Sequence, residues 1–229
     1  MLNISQRIST IASLVPLGAR VCDIGTDHAY LPIYLLESDI AKYVIATDIN
    51  KKPLLNAKRN LEKAKLNNYE LRLCDGAANI KKGEADTFVI AGMGGEVISG
   101  IIERSLSLFT NPEVTVILQP TTSPEHLRSF LLNNGFAIKK EVAINENKKL
   151  YSVMLVNFCG IKNEASNLFA FIGLLSPKGD AAKLYIEKQY NRCLKCAKAL
   201  KGNNEKQKEY LFYKETCEQI SDFLKNFKE

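Results

Sequence analysis

The side chains best equipped for chemistry sit together in residues 23–30, Asp-Ile-Gly-Thr-Asp-His-Ala-Tyr. Two carboxylates, an imidazole and a phenol fall within eight positions, starting at the end of a strand-like run at 20–24. A strand that turns at a glycine into a helix is where nucleotide-binding folds hold their ligand. A dinucleotide site there requires three glycines, as Gly-x-Gly-x-x-Gly. Only Gly25 is present; Asp27 and Tyr30 occupy the other two places. A carboxylate aimed at a pyrophosphate is repelled by it. S-adenosylmethionine has no phosphate, and its sulfonium and α-ammonium are cationic, so an acidic turn suits that methyl donor. The competing reading of Asp27 is a helix cap in a turn that binds no phosphate.

Further acids and glycines close the next apolar runs. Asp48 follows Asp23 by 25 residues, where an acid can accept both hydroxyls of a ribose. Asp75-Gly76 places a carboxylate for an adenine amino group, although Asp-Gly is also a common turn. The run Ile-Ala-Gly-Met-Gly-Gly at 90–95 puts three glycines after a buried strand, as close approach of backbone to ligand requires. Gln119-Pro120-Thr121 ends the following run and puts the neutral amide of Gln119 at the mouth of the same crevice. The expected donor-binding set is therefore Arg7, Asp23, Gly25, Asp27, His28, Ala29, Asp48, Ile49, Asp75, Gly76, Gly92 and Met93. Asp27, Tyr30 and Gln119 are the candidates to act on a methyl acceptor. Tyr30 either stacks on a base or packs at a helix start. His28 either lines the pocket or caps the helix after it, and Arg7 either reaches the donor's carboxylate or is an ordinary exposed arginine.

These residues need a scaffold that brings strand ends to one edge. Apolar spacing predicts helices at 5–15, 31–38, 53–66 and 97–108, and strands at 20–24, 43–47, 69–73, 87–91 and 114–118. Ser123 as N-cap, Pro124 at the first helical position and Asn134-Gly135 at the far end punctuate another helix. Strands at 137–144 and 150–158 are joined by the short polar turn 145–148, which suits antiparallel neighbours. Alternation of strand and helix implies a parallel sheet covered on both faces, here with seven strands. Beyond Gly160 the pattern changes. Ile186, Tyr190, Cys193, Ala197 and Leu200 form one heptad seam, and Tyr210, Tyr213, Cys217, Ile220, Leu224 and Phe227 a second. Gly202-Asn203-Asn204 separates them, so an antiparallel helical hairpin is expected, dividing the chain into domains at 1–160 and 161–229.

Composition narrows the function classes. The chain has 229 residues, 46% hydrophobic and 24% charged, as in a soluble globular protein. No apolar run approaches the roughly 20 residues that cross a bilayer, and the first seven residues lack a leader's apolar core and cleavage site. A cytoplasmic protein without a membrane partner is expected. Of six cysteines, only Cys193 and Cys196 have ligand-like spacing, half of a zinc site, and the seam accounts for Cys193. No metal is expected. The net charge is +6, and residues 178–229 hold 12 Lys/Arg against 8 Asp/Glu. Lys183, Lys188, Arg192, Lys195, Lys198 and Lys201 are candidate contacts to nucleic-acid phosphates, or else a solvated helical face.

Taken together, the runs Asp-Ile-Gly-Thr-Asp-His-Ala-Tyr-Leu-Pro (23–32), Ala-Gly-Met-Gly-Gly (91–95) and Leu-Gln-Pro (118–120) resemble the bacterial tRNA (adenine-22-N1)-methyltransferase family, TrmK. The likeness spans the first domain and includes the helical hairpin. It implies a class I methyltransferase fold, Rossmann-like with a final antiparallel strand pair. It also implies S-adenosylmethionine as donor, tRNA as partner, and position 22 as the target. The family's pattern differs from Asp48, Asp75 and Thr121, where Glu, Asn and Asn are common. No Asp/Asn-Pro-Pro-Tyr/Phe segment follows the fourth strand, which favours a ring nitrogen over an exocyclic amine as acceptor. Neutral adenine has a free N1 lone pair, so proximity and alignment are the main requirement once the base is swung out. A methyltransferase of another substrate and a non-catalytic RNA-binding protein on the same fold are the rival readings. A monomer or weak dimer is expected.

Overall fold

The alternating apolar runs close into one seven-stranded sheet, in a computed structural model that describes residues 4–227. Met1–Asn3, the start of the segment read for a leader, lie outside the described residues. The strands are β1 (Ala19–Ile24), β2 (Ala41–Asp48), β3 (Tyr69–Leu73), β4 (Thr87–Gly94), β5 (Thr115–Thr122), β6 (Phe136–Glu146) and β7 (Lys149–Phe158). Their order is β3-β2-β1-β4-β5-β7-β6, parallel except for β7, which runs antiparallel to both β5 and β6. Register fixes the functional edge. Ile24 pairs with Thr47 and Ile90, Asp48 with Leu73, and Ala91 with Gln119. The carboxyl ends of five strands therefore share one rim, and the chain order reverses between β1 and β4, where such sheets open a crevice.

Helices α1 (Gln6–Ala12), α2 (Tyr30–Glu37) and α3 (Lys51–Lys63) cover one face over Ile11, Leu35, Leu61 and Val89. Helices α4 (Gly95–Arg104), α5 (Leu106–Phe109) and α6 (Pro124–Asn133) cover the other over Phe88, Ile98, Phe109 and Leu127. The expected helix 97–108 is thus two helices, broken at Ser105, whose backbone leaves helical angles and whose N–H bonds Ile102 O three residues back. Ser123 holds the N-cap position of α6, but in a left-handed conformation whose side chain caps nothing.

Among the described residues, three α-helices follow the sheet. Among them α7 (Asn167–Ile172), which no periodicity announced, is capped by the Ser166 side chain. Helices α8 (Asp180–Leu200) and α9 (Gln207–Asn226) return alongside each other, burying Ile186, Cys193, Cys217 and Ile220 with Phe171 and Ile172 of α7. Burial raises the Cys193 thiol to about 12, with Cys217 adding to the effect. This unit is fastened to the sheet through Arg128 of α6, which is fully buried. Its guanidinium pairs with Glu141 of β6 at 2.6 Å and donates to Ala170 O, Phe171 O, Ser152 Oγ and Tyr185 Oη. Among the described residues no helix is long and apolar enough to cross a membrane.

Candidate active site

The turn after β1 owes its shape to backbone hydrogen bonds and left-handed residues. Gly25 N and Thr26 N both donate to Thr47 O, at 2.8 and 2.9 Å, tying the turn to the end of β2. Gly25 has φ +79°, which favours glycine, and a Cβ there would have to displace the flexible end of the Met93 side chain. Asp27 and Ala29 also have positive φ, 50° and 57°, a sparsely populated conformation whose clustering marks strained, functional turns. Ala29 is the N-cap of α2 and has no side-chain cap. His28 therefore does not cap that helix; its ring stacks on Tyr30, with centroids 5.4 Å apart, beside Asp27 at 3.6 Å. Tyr30, the first residue of α2, is 45% exposed rather than packed away.

Two cavities adjoin across Gly25, Ala91 and Gly92. One, of about 260 Å³, is lined by Arg7, Asp23, Gly25, Thr26, Asp27, His28, Tyr30 and Gly92 among others. The second, of about 380 Å³, is lined by Asp48, Ile49, Asp75, Gly76, Met93 and Arg104 among others. Together they form a trough along the strand ends, with the Met93 side chain lying against Gly25 where they meet.

Electrostatics distinguish the two ends. Asp23 is buried, and its carboxyl is pushed up to about 6, chiefly by desolvation, with the Thr26 side chain opposing the shift and the Asp48 carboxylate adding to it. The Thr26 hydroxyl oxygen is buried and lies near that carboxyl without completing a well-aligned hydrogen bond among the described residues. A buried carboxylate beside an incompletely bonded hydroxyl on one cavity wall is costly until a polar, cationic group meets it. The ammonium end of S-adenosylmethionine has that chemistry, so the residues present fit the expected donor. At the other end, one Asp48 oxygen accepts from Asn50 N at 2.8 Å. Asp75 pairs with Arg104 at 3.3 Å on the rim.

Several sequence expectations change place. Gln119 is fully buried, not at the crevice mouth. Its Oε1 accepts from Gly92 N at 3.1 Å and from Arg7 Nη1 at 3.3 Å, and its Nε2 donates to Pro120 O at 2.9 Å. With both ends of the amide engaged, it fixes the glycine turn and Arg7 rather than reaching an acceptor. Ala29 is buried in the core under α2 and is absent from both cavity walls. Arg7 is held by Glu146, which accepts from its backbone N–H at 3.0 Å. On α8, Arg192 is committed to an ion pair with Glu125 of α6 and lies over the Phe171 ring, so it anchors the hairpin instead of facing phosphates. Lys188 reaches Leu150 O at 3.3 Å. Lys183, Lys195, Lys198 and Lys201 are exposed. Thr26, Arg104 and Glu146 were not foreseen. Thr26 lay inside the motif, whereas only folding brings Glu146 to Arg7 across 139 positions.

A methyltransferase-domain family matches residues 4–154. A Bacillus subtilis (strain 168) protein described as a tRNA (adenine(22)-N(1))-methyltransferase is 43% identical over 155 residues, 67% of this chain and 65% of that protein's length. The crystal structure of the B. subtilis m1A22 tRNA methyltransferase TrmK superposes with a TM-score of 0.83 at 30% identity, covering 98% of this chain and 99% of that one. A Streptococcus pneumoniae structure, a putative tRNA (m1A22) methyltransferase in complex with S-adenosyl-L-methionine, gives 0.81 at 30% identity over 96% and 99%.

Proposed function

Because this chain belongs to the family of bacterial tRNA (adenine-22-N1)-methyltransferases, we propose that it transfers a methyl group from S-adenosylmethionine to N1 of adenine 22 in tRNA. The observation that carries the reading is the buried Asp23 carboxyl, raised by desolvation despite the nearby Thr26 hydroxyl, in a cavity that opens onto the His28–Tyr30 stack. Bound S-adenosylmethionine supplies a methyl on a sulfonium, already activated for transfer. Asp23 and Thr26 would receive its ammonium, Arg7 its carboxylate and Asp48 its ribose hydroxyls. Ile49, Asp75 and Met93 would border its adenine. Arg104 already occupies one Asp75 oxygen, so an adenine amino group there shares that carboxylate or displaces the arginine.

On the acceptor side, Tyr30 offers a free ring edge and face for a base swung out of its stack, and His28 holds the phenol ring in place. Adenine N1 needs no deprotonation before attack, so these residues work by positioning. Asp27, exposed at the cavity mouth, would favour the positive charge that develops on the methylated ring. Residues 1–160 would carry this chemistry, residues 161–229 would grip the tRNA body, and the enzyme would work in the cytoplasm with its substrate. Incubation of unmodified tRNA with labelled donor should yield 1-methyladenosine on nucleoside analysis; another product, or no donor binding in calorimetry, rejects the proposal. Tyr30→Ala should cut kcat at least tenfold with donor affinity changed by no more than about twofold. Loss of donor affinity instead would move Tyr30 from the acceptor to the donor.

A further inference from the structure

A second concentration of positive charge, about as dense as that of the hairpin, lies on α3 and the two residues after it, beside the crevice. Residues 51–65 hold six cations (Lys51, Lys52, Lys58, Arg59, Lys63 and Lys65) against one acid, Glu62. That is +5 in fifteen positions, where the whole chain carries +6. All six are exposed, and among the described residues only Lys58 has an acidic partner, Glu62 at 3.7 Å. Helix formation does not require such a pattern; like charges at these spacings weaken a helix. The apolar side, Ala57 and Leu61, is spent on the core, leaving Leu55 as the exposed large apolar residue of the helix.

Position makes the charge informative. α3 starts directly after Asp48–Asn50 at the trough rim. Asn60 Nδ2 donates to His28 O at 2.9 Å, so the helix is tied to the turn that carries Asp27 and Tyr30. It packs on β2 and β3 at one edge of the sheet, whereas α8 packs on β6 and β7 at the other. At about 4.8 Å per strand, those edges lie roughly 29 Å apart with the trough between them. Hairpin lysines alone would hold a polyanion on one side of the crevice only.

We propose that the exposed face of α3 binds the phosphate backbone of the tRNA next to the adenine presented to Tyr30, so that the nucleic acid is held from both sides of the trough. This rests on the tRNA reading above. A membrane surface fits less well, because a helix that lies in an anionic bilayer needs an apolar face to insert, and α3 has buried its own.

The test is an Arg59→Glu/Lys63→Glu chain, with Lys51→Glu/Lys52→Glu as a second variant at the opposite end of the helix. Each is checked for native melting and donor affinity. With unmodified tRNA, each should raise KM at least tenfold, weaken filter retention of tRNA equally, and flatten the log affinity against log salt slope by about 1.5–2. Unchanged retention and slope in both variants overturn the α3 surface. So does binding of phosphatidylglycerol vesicles through α3 with tRNA retention intact. Failure of the native chain to methylate tRNA that it retains through α3 would reject the activity and leave this surface standing.

Discussion

Asp23→Asn is expected to make the free protein more stable while removing most of its affinity for the methyl donor. The Asp23 carboxyl sits at about 6 in the fold because burial, and then Asp48, penalise its charge. Its ordinary value is 3.8. A raised carboxyl means the folded state holds a proton more tightly than the unfolded chain does. The sign follows: the fold is unpenalised below about pH 4, loses stability as pH rises through 6, and at neutral pH carries a cost of at most about 3 kcal/mol. An amide cannot ionise, so the variant should lack this loss and show a higher urea midpoint at pH 7 than at present, the two proteins converging near pH 4. Donor binding should move the other way. Removing the charge that meets an ammonium costs about 2 kcal/mol or more, some thirtyfold in Kd. In the native protein, donor affinity should fall as pH drops below 6. A variant that is both less stable and still tight-binding would assign Asp23 to the scaffold.

Arg128→Ala should produce the largest stability loss of any single change outside the trough. The guanidinium and the Glu141 carboxylate are both wholly buried, and two α7 carbonyls and the Tyr185 hydroxyl depend on the same group. Deleting one partner of a buried pair strands the other, at about 3–5 kcal/mol. Gly173 belongs to the arrangement, since a Cβ there would collide with Glu141 and Arg128. The variant should unfold at markedly lower urea and expose the segment between β7 and α8 to proteolysis, with donor affinity nearly retained where folded. A loss below about 1 kcal/mol would mean that α7 and the hairpin dock by apolar contact alone.

Much of the trough was legible because its residues are local to strand ends. Asp23, Gly25, Asp27 and Tyr30 lie within eight positions, and their spacing carries the distinction between a phosphate-bearing cofactor and a cationic one. The hairpin was legible for a similar reason: its seams repeat every seven residues, and Cys193, Ala197, Cys217 and Ile220 are buried as that period requires. Where several distant groups compete for one side chain, local pattern misled. Gln119 looked like a free amide until Gly92 N and Arg7 were seen to occupy its oxygen. Arg192 looked like a phosphate ligand until α6 supplied Glu125. The charge of α3 was in the sequence, but averaging over the first 177 residues diluted it.

The acidic turn after the first strand, the glycine run after the fourth and the strand–helix alternation therefore determined by themselves a methyl-donor fold, since these signals arise from neighbours in the chain. The tertiary structure alone decided which polar groups remain available. Availability depends on partners brought from 67 to 139 positions away, as for Arg192 and Arg7, and on burial that leaves the Asp23 carboxyl desolvated while it satisfies Gln119. Hydrogen-bonding capacity is finite, and only the folded chain shows where it has already been used.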